Sequence, residues 1–153
     1  MRLSAVSPLT ADPADLAIAL TLPDGVAVTA DTARLTMTLM RQGQAEVEGD
    51  SFVLAAEGDV YRIDPGDLAA IRALQARGRQ WKADFPGEVN GALSITLAPC
   101  TLGGGPAEDA TVDVAIRLEA DGPFRPLING APLSAIADQE TLTKLPYCYN
   151  QLP

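Results

Sequence analysis

Three stretches of this chain alternate apolar and polar residues one for one, and that period of two limits the fold more than any other feature. Within 33–42, Leu35, Met37 and Leu39 alternate with Arg34, Thr36 and Thr38; within 92–98, Leu93, Ile95 and Leu97 oppose Ser94 and Thr96. Within 111–119, Val112, Val114, Ile116 and Leu118 oppose Asp113, Ala115 and Arg117. Successive side chains of a strand point to opposite faces, so each run presents one apolar and one wet face. Strands of that kind belong to antiparallel sheets, because strands of parallel sheets are covered on both faces and read as continuous apolar runs.

Shorter signals add to the count. The period of two begins at Val26, and a weaker strand is expected at 45–48, between turn signals at Gly43 and Gly49-Asp50. Residues 51–56 and 59–63 bracket Glu57-Gly58 as a hairpin. The glycine-rich stretch 103–109 reads as a long hairpin loop between the runs at 92–98 and 111–119. Past Asp121-Gly122-Pro123, residues 124–128 read as a short edge strand, with Pro126 keeping it from the sheet centre.

Helical signals are fewer. Asp64-Pro65-Gly66-Asp67 offers an N-cap acceptor, a φ-locked proline in the first turn and a carboxylate at the positive end of the dipole. Leu68, Ile71, Leu74, Gly78, Trp81 and Phe85 follow as one helical stripe, which predicts a helix over about 65–83, stopped near Pro86-Gly87. Asp12-Pro13-Ala14-Asp15 carries the same cap chemistry and predicts a short helix through Leu16, Ile18 and Leu20, ended by Pro23-Asp24-Gly25. The string Asp-Pro-x-Asp-Leu-Ala thus occurs at 12–17 and 64–69, but the flanks differ, so shared cap physics explains it better than duplication. A last short helix is expected from Pro132, carrying Leu133 and Ile136.

Together these elements predict an α+β fold: a single domain with a largely antiparallel, sandwich-like sheet of about six or seven strands. One long amphipathic helix and short terminal helices complete it. With 153 residues the chain has room for one such domain, placed at 12–153 after an extended lead-in at 1–11 that contains Pro8.

The chemistry is narrowed by elimination. The chain has no histidine, which removes the commonest general base and the commonest transition-metal ligand. A Ser/Lys dyad has only Lys82 and Lys144 to draw on, and neither lies three residues after a serine. No phosphate-binding loop of the Walker or dinucleotide type occurs, and no cofactor is implied. The formal charge of −9 repels a phosphate backbone, so nucleic acid is not an expected partner. Carboxylates are plentiful, but Asp59, Asp64 and Asp67 fit turn and cap roles, and Asp109 with Asp113 lacks the ligand alternation of a calcium loop. No metal site is expected.

Cys100 and Cys148 are the two cysteines, each at the end of an element; they form either one disulfide or two buried thiols. A disulfide points to an oxidising compartment, hence a periplasmic or cell-envelope protein with a possible tether through a preceding segment; the alternative is a cytoplasmic protein. Arg62, Arg72, Arg77, Arg79 and Lys82 gather five of the eleven cations into 21 residues of an acidic chain. Arg62, Arg72, Arg79 and Lys82 beside Trp81 are therefore the candidate contact residues for an anionic ligand or a protein partner. The opposing reading is a solvated helix face with Trp81 in the core. Tyr147 and Tyr149 flank Cys148 and either pack around a bridge or present a contact surface. The expected function is a non-catalytic extracytoplasmic binding or scaffolding module; the alternatives are a carboxylate-based hydrolase of a polysaccharide or cell-wall polymer, and a protein inhibitor or small-ligand carrier.

Overall fold

The alternating runs all become strands. The structure is a computed structural model that describes residues 1, 3, 6–43 and 47–148, Val47 through its backbone alone. In chain order it contains β1 (Ala17–Thr21), β2 (Val26–Val28), β3 (Arg34–Arg41), β4 (Val47–Glu57), β5 (Val60–Ile63) and, after a 3-10 turn at Pro65–Asp67, α1 (Leu68–Asp84). Then come β6 (Val89–Thr96), β7 (Pro99–Thr101), β8 (Thr111–Arg117), β9 (Arg125–Pro132), a 3-10 turn at Leu133–Ala135 and α2 (Gln139–Thr143). Seven strands form one sheet in the order β6-β3-β4-β5-β1-β8-β9, while β2 and β7 form a small second sheet. Every strand pairing within the two sheets is antiparallel. The fold is α+β, with a curled sheet.

The curl comes from β4, which changes partner midway. Its first part pairs with β3 from Met40↔Val47 to Arg34↔Val53, and its last part pairs with β5 from Leu54↔Ile63 to Glu57↔Val60. Inside the curl lie Leu35, Met37 and Leu39 of β3, Leu93 and Ile95 of β6, Ile18 and Leu20 of β1, and Val112, Val114 and Ile116 of β8, all buried. The other face is wet, and there Thr36 and Ser51 share a hydroxyl hydrogen bond of 3.2 Å.

Helix α1 closes the inner side against β3 and β6. Asp64 caps the preceding turn, accepting from Gly66 N at 2.8 Å. The helix face buries Ile71, Gln75 and Gly78. A Cβ on Gly78 would stand 2.5 Å from Leu9 Cδ2 and 2.9 Å from Leu39 Cδ2, so only glycine lets the helix come this close. Gln75 is a buried polar side chain on the predicted apolar stripe; its amide donates to Pro8 O at 3.1 Å and Ala11 O at 2.7 Å, which removes the cost of burying it.

Those partners precede Asp12, in a stretch whose described residues include members of the core: Leu3, Val6 and Leu9. Leu3 N donates to Leu93 O at 2.8 Å and Ile95 N to Met1 O at 2.7 Å, so Met1 and Leu3 lie along the outer edge of β6. From Ser7 the chain turns, with Ala11 N on Ser7 O at 3.0 Å.

Four expectations need correction. Ala17–Thr21 is a strand in mid-sheet, not a helix: Leu16, just before it, and Ile18 and Leu20 within it recur every second residue, which spreads them around a helix but aligns them along an extended chain. Gly49-Asp50 is not a turn, since β4 runs through it with Gly49 opposite Thr38. A Cβ on Gly49 would lie 2.4 Å from Met37 O, so the glycine serves close strand approach. The runs at 92–98 and 111–119 do not form a hairpin; β6 pairs with β3, and β8 with β1 and β9. Alternation fixes which face a strand buries and leaves its neighbour open. The terminal helix is a 3-10 turn at Leu133–Ala135 followed by the separate α2. Of the strand expected at 45–48, Ala45 and Glu46 lie outside the described residues, as does Tyr149.

The edge strand at 124–128 is realised as the longer β9. Cys100 and Cys148 form the disulfide, with Cα atoms 5.1 Å apart across 48 positions. The tail beside it is held further by Thr101 N on Pro146 O at 2.8 Å and Cys148 N on Thr101 O at 3.1 Å.

Candidate functional site

A wide hollow opens where β3 leaves β4. The last bond of that ladder is Leu54 N to Ala33 O, 2.8 Å. Before Ala33 the chain turns sharply, with Thr32 N on Thr29 O at 3.3 Å and Thr32 Oγ1 donating to Thr29 O at 2.7 Å. Ala98 N in turn donates to Thr32 Oγ1 at 3.1 Å, and Asp31 takes the left-handed backbone conformation, φ 62°. The turn carries the chain away into β2, and β4 continues without it.

The result is a cleft of about 620 Å³. One wall is the segment 21–31, the other is the end of the β4–β5 hairpin, and Leu102 stands beside β2. Its walls are anchored: Leu20 N donates to Asp59 O at 3.0 Å, Leu102 N to Gly25 O at 3.0 Å, and Thr29 N to Ala98 O at 2.8 Å. Ala27 of β2 lies opposite Cys100, whose Sγ is 3.5 Å from Ala27 O, so the disulfide sits directly behind one wall.

Leu22, Pro23, Val26, Val28 and Leu54 supply apolar surface, and the charged side chains of the lining are Asp24, Asp31 and Asp59. Among the described residues, no arginine or lysine lines it. Tyr61 also lines the cleft, half-buried. Burial first, and then the negative charge of Asp59, hold its phenol above the usual tyrosine value, so it remains a protonated donor. Among the described residues, the three carboxylates make no metal-like cluster with one another.

The residues singled out by the sequence lie elsewhere. On α1, Arg72 pairs with Asp12 at 3.3 Å and Arg79 donates to Leu9 O at 2.6 Å. With Gln75 between them, this side of the helix holds the 8–12 segment. The Ala14 N–H and then the Arg72 guanidinium keep the Asp12 carboxyl below the ordinary aspartate range. Arg77 pairs with Glu48. Trp81 is half-buried and packs on the core, and Lys82 is exposed in the last helical turn. Arg62 is not beside them: it stands opposite Ala17 and Ala55 on the outer face of the sheet, with Arg117 on the far side of Ala17. The arginine cluster of the sequence is therefore divided between two surfaces.

Asp24, Asp31, Asp59 and Tyr61 had no such signal as a group. Asp24 and Asp59 sit in ordinary turn contexts, and what brings them together is the strand order. The one local hint is Tyr61, which shares the inward side of β5 with buried Ile63. A second hollow of about 450 Å³ lies between β6 and the 134–141 segment, where Asp138 is already used in capping α2 through Thr141 N at 2.7 Å. Compared with protein-family models, with curated proteins and with solved structures, the chain matches none.

Proposed function

We propose that this chain is a non-catalytic binding module of the cell envelope and that it takes its ligand in the cleft between 21–31 and the β4–β5 hairpin. The observation that carries the reading is the cleft itself. Its volume lies within the range of ligand sites, and its lining, more polar than apolar, sets apolar side chains beside groups that can fix orientation. Its walls are tied by backbone bonds and backed by the disulfide, so little order has to be created when a ligand enters. The same disulfide supports a compartment in which such bonds persist. The absence of histidine, the commonest general base, favours binding over turnover.

Amide shift mapping with a library of small fragments tests this. Shifts gathered at Gly25, Gly58, Asp59 and Leu102 support the cleft; shifts confined to α1 or to the outer face contradict it. Turnover of a cell-wall polysaccharide that is lost in Asp59→Asn contradicts the non-catalytic reading. Alkylation of native protein without reductant addresses the compartment: no modified thiol supports it, and two modified thiols contradict it.

A further inference from the structure

Backbone polar groups of a strand point alternately to its two sides. In β4, Leu54 directs its N–H to Ala33 of β3, so Ala55 and Glu57 face β5, their ladder partners being Arg62 and Val60. Ala56 then faces the same side as Leu54. Extending the β3 register would place Asp31 opposite Ala56, but the chain has already turned away at Thr29–Thr32. The N–H and C=O of Ala56 are thus aimed into the cleft with no strand beside them. A strand is missing from this place.

An unpaired edge inside a hollow is the geometry of strand addition, in which an extended peptide gains main-chain hydrogen bonds and its alternate side chains enter pockets. The lining selects which peptide. Asp24, Asp31 and Asp59 surround the edge with no lining cation to offset them, in a chain of net charge −9. Apolar contact is available from Leu54, Leu22 and the Tyr61 ring, and that ring also offers a face to an ammonium or guanidinium.

We infer that the cleft accepts an extended peptide bearing lysine or arginine, which adds as a strand to the open edge of β4 at Ala56. This rests on the cleft being the binding site and goes beyond it by naming the ligand class.

Titration calorimetry with a capped hexapeptide alternating lysine and valine is the test, run beside a glutamate–valine peptide and a lysine–valine peptide methylated on its backbone nitrogens. The lysine–valine peptide is expected to bind and the other two are not. Ala56→Pro removes the N–H without costing a bond to β5, and weakens binding at least about tenfold. Asp31→Asn, which suits the left-handed backbone, and Asp59→Asn each weaken it about two- to threefold and flatten its salt dependence. Ala56→Pro is checked for folding by circular dichroism, and the methylated peptide reads the same bond without any variant.

Equal binding of the methylated peptide, or of a simple diamine, overturns strand addition. Absence of binding by the lysine–valine peptide at millimolar concentration overturns the inference as a whole. So does a dimer of the free protein that Ala56→Pro dissolves, because the edge then belongs to a second copy. Should fragments still map to the cleft while the peptides fail, only this inference falls.

Discussion

Residues 12–17 and 64–69 both read Asp-Pro-x-Asp-Leu-Ala, and they begin alike. Asp12 Oδ1 accepts from Ala14 N at 3.0 Å, and Asp64 Oδ1 from Gly66 N at 2.8 Å. Asp15 N reaches Asp12 O at 3.1 Å, and Asp67 N reaches Asp64 O at 2.9 Å. Then they part. The first becomes β1, paired on one side with β5 and on the other with β8; the second becomes α1. A capping aspartate and a proline close one turn, and the apolar period that follows decides what the turn leads into. After Asp15 that period is two, with Leu16, Ile18 and Leu20 all buried. After Asp67 it is close to 3.6, with Ile71, Gln75 and Gly78 on the buried face.

The largest effect should come from testing that difference in the core. Ile18→Ala removes a side chain only 2% exposed at the centre of the sheet, and should cost about 2–5 kcal/mol. Leu68→Ala, at the half-buried start of α1, should cost about 1 kcal/mol. Urea denaturation measures both, and equal costs would break the contrast. Next comes Gly78→Ala. Helix propensity alone favours alanine by about 1 kcal/mol, but the new methyl meets Leu9 and Leu39. The variant should therefore be destabilised by about 1–2 kcal/mol, and a gain in stability would show that propensity, not packing, governs α1.

The smallest effects belong to the two caps. Asp64→Ala should cost about 1 kcal/mol, since it leaves a helix start without its acceptor. Asp12→Asn should cost less, because the turn it closes feeds a strand held on both edges. Its pH dependence has a defined sign. The folded-state pKa of Asp12 is depressed by the Ala14 N–H and then by Arg72, so its contribution is present above the unfolded pKa and lost as pH falls through the folded one. Urea midpoints between about pH 6 and 2 should show wild type and Asp12→Asn converging in acid. A difference that widens in acid would contradict the assignment.

The same physics explains what was legible beforehand. Strands with one wet face announce themselves, so β3, β6 and β8 were readable from Leu35, Leu93 and Val112 and their alternating neighbours. The helix was readable from its cap and stripe, and the disulfide because two cysteines admit one pairing. Neighbour identity was not readable: nothing local in β4 says that it serves β3 as far as Val53 and β5 from Leu54. The core role of Leu3, Val6 and Leu9 was hidden for a related reason, since their partners Leu93 and Gly78 lie more than sixty positions away. The cleft inherits this opacity. Asp24, Asp31 and Asp59 are turn residues by composition and become a lining only through the strand order. The arginines that stood out by charge are largely taken up in surface contacts within the chain, where Arg72 and Arg79 hold the 8–12 segment against α1.

All of this converges on one backbone group. Amide hydrogen exchange of the free protein, resolved at single residues, tests it without any ligand. Leu54 N–H is bonded to Ala33 and Ala55 faces β5, so both should exchange slowly, while Ala56, past the end of the β3 ladder, should exchange at nearly the rate of an unprotected amide. Protection of Ala56 equal to that of Leu54 and Ala55 would mean that the edge is already occupied, and the cleft would lose its claim to be a site waiting for a strand.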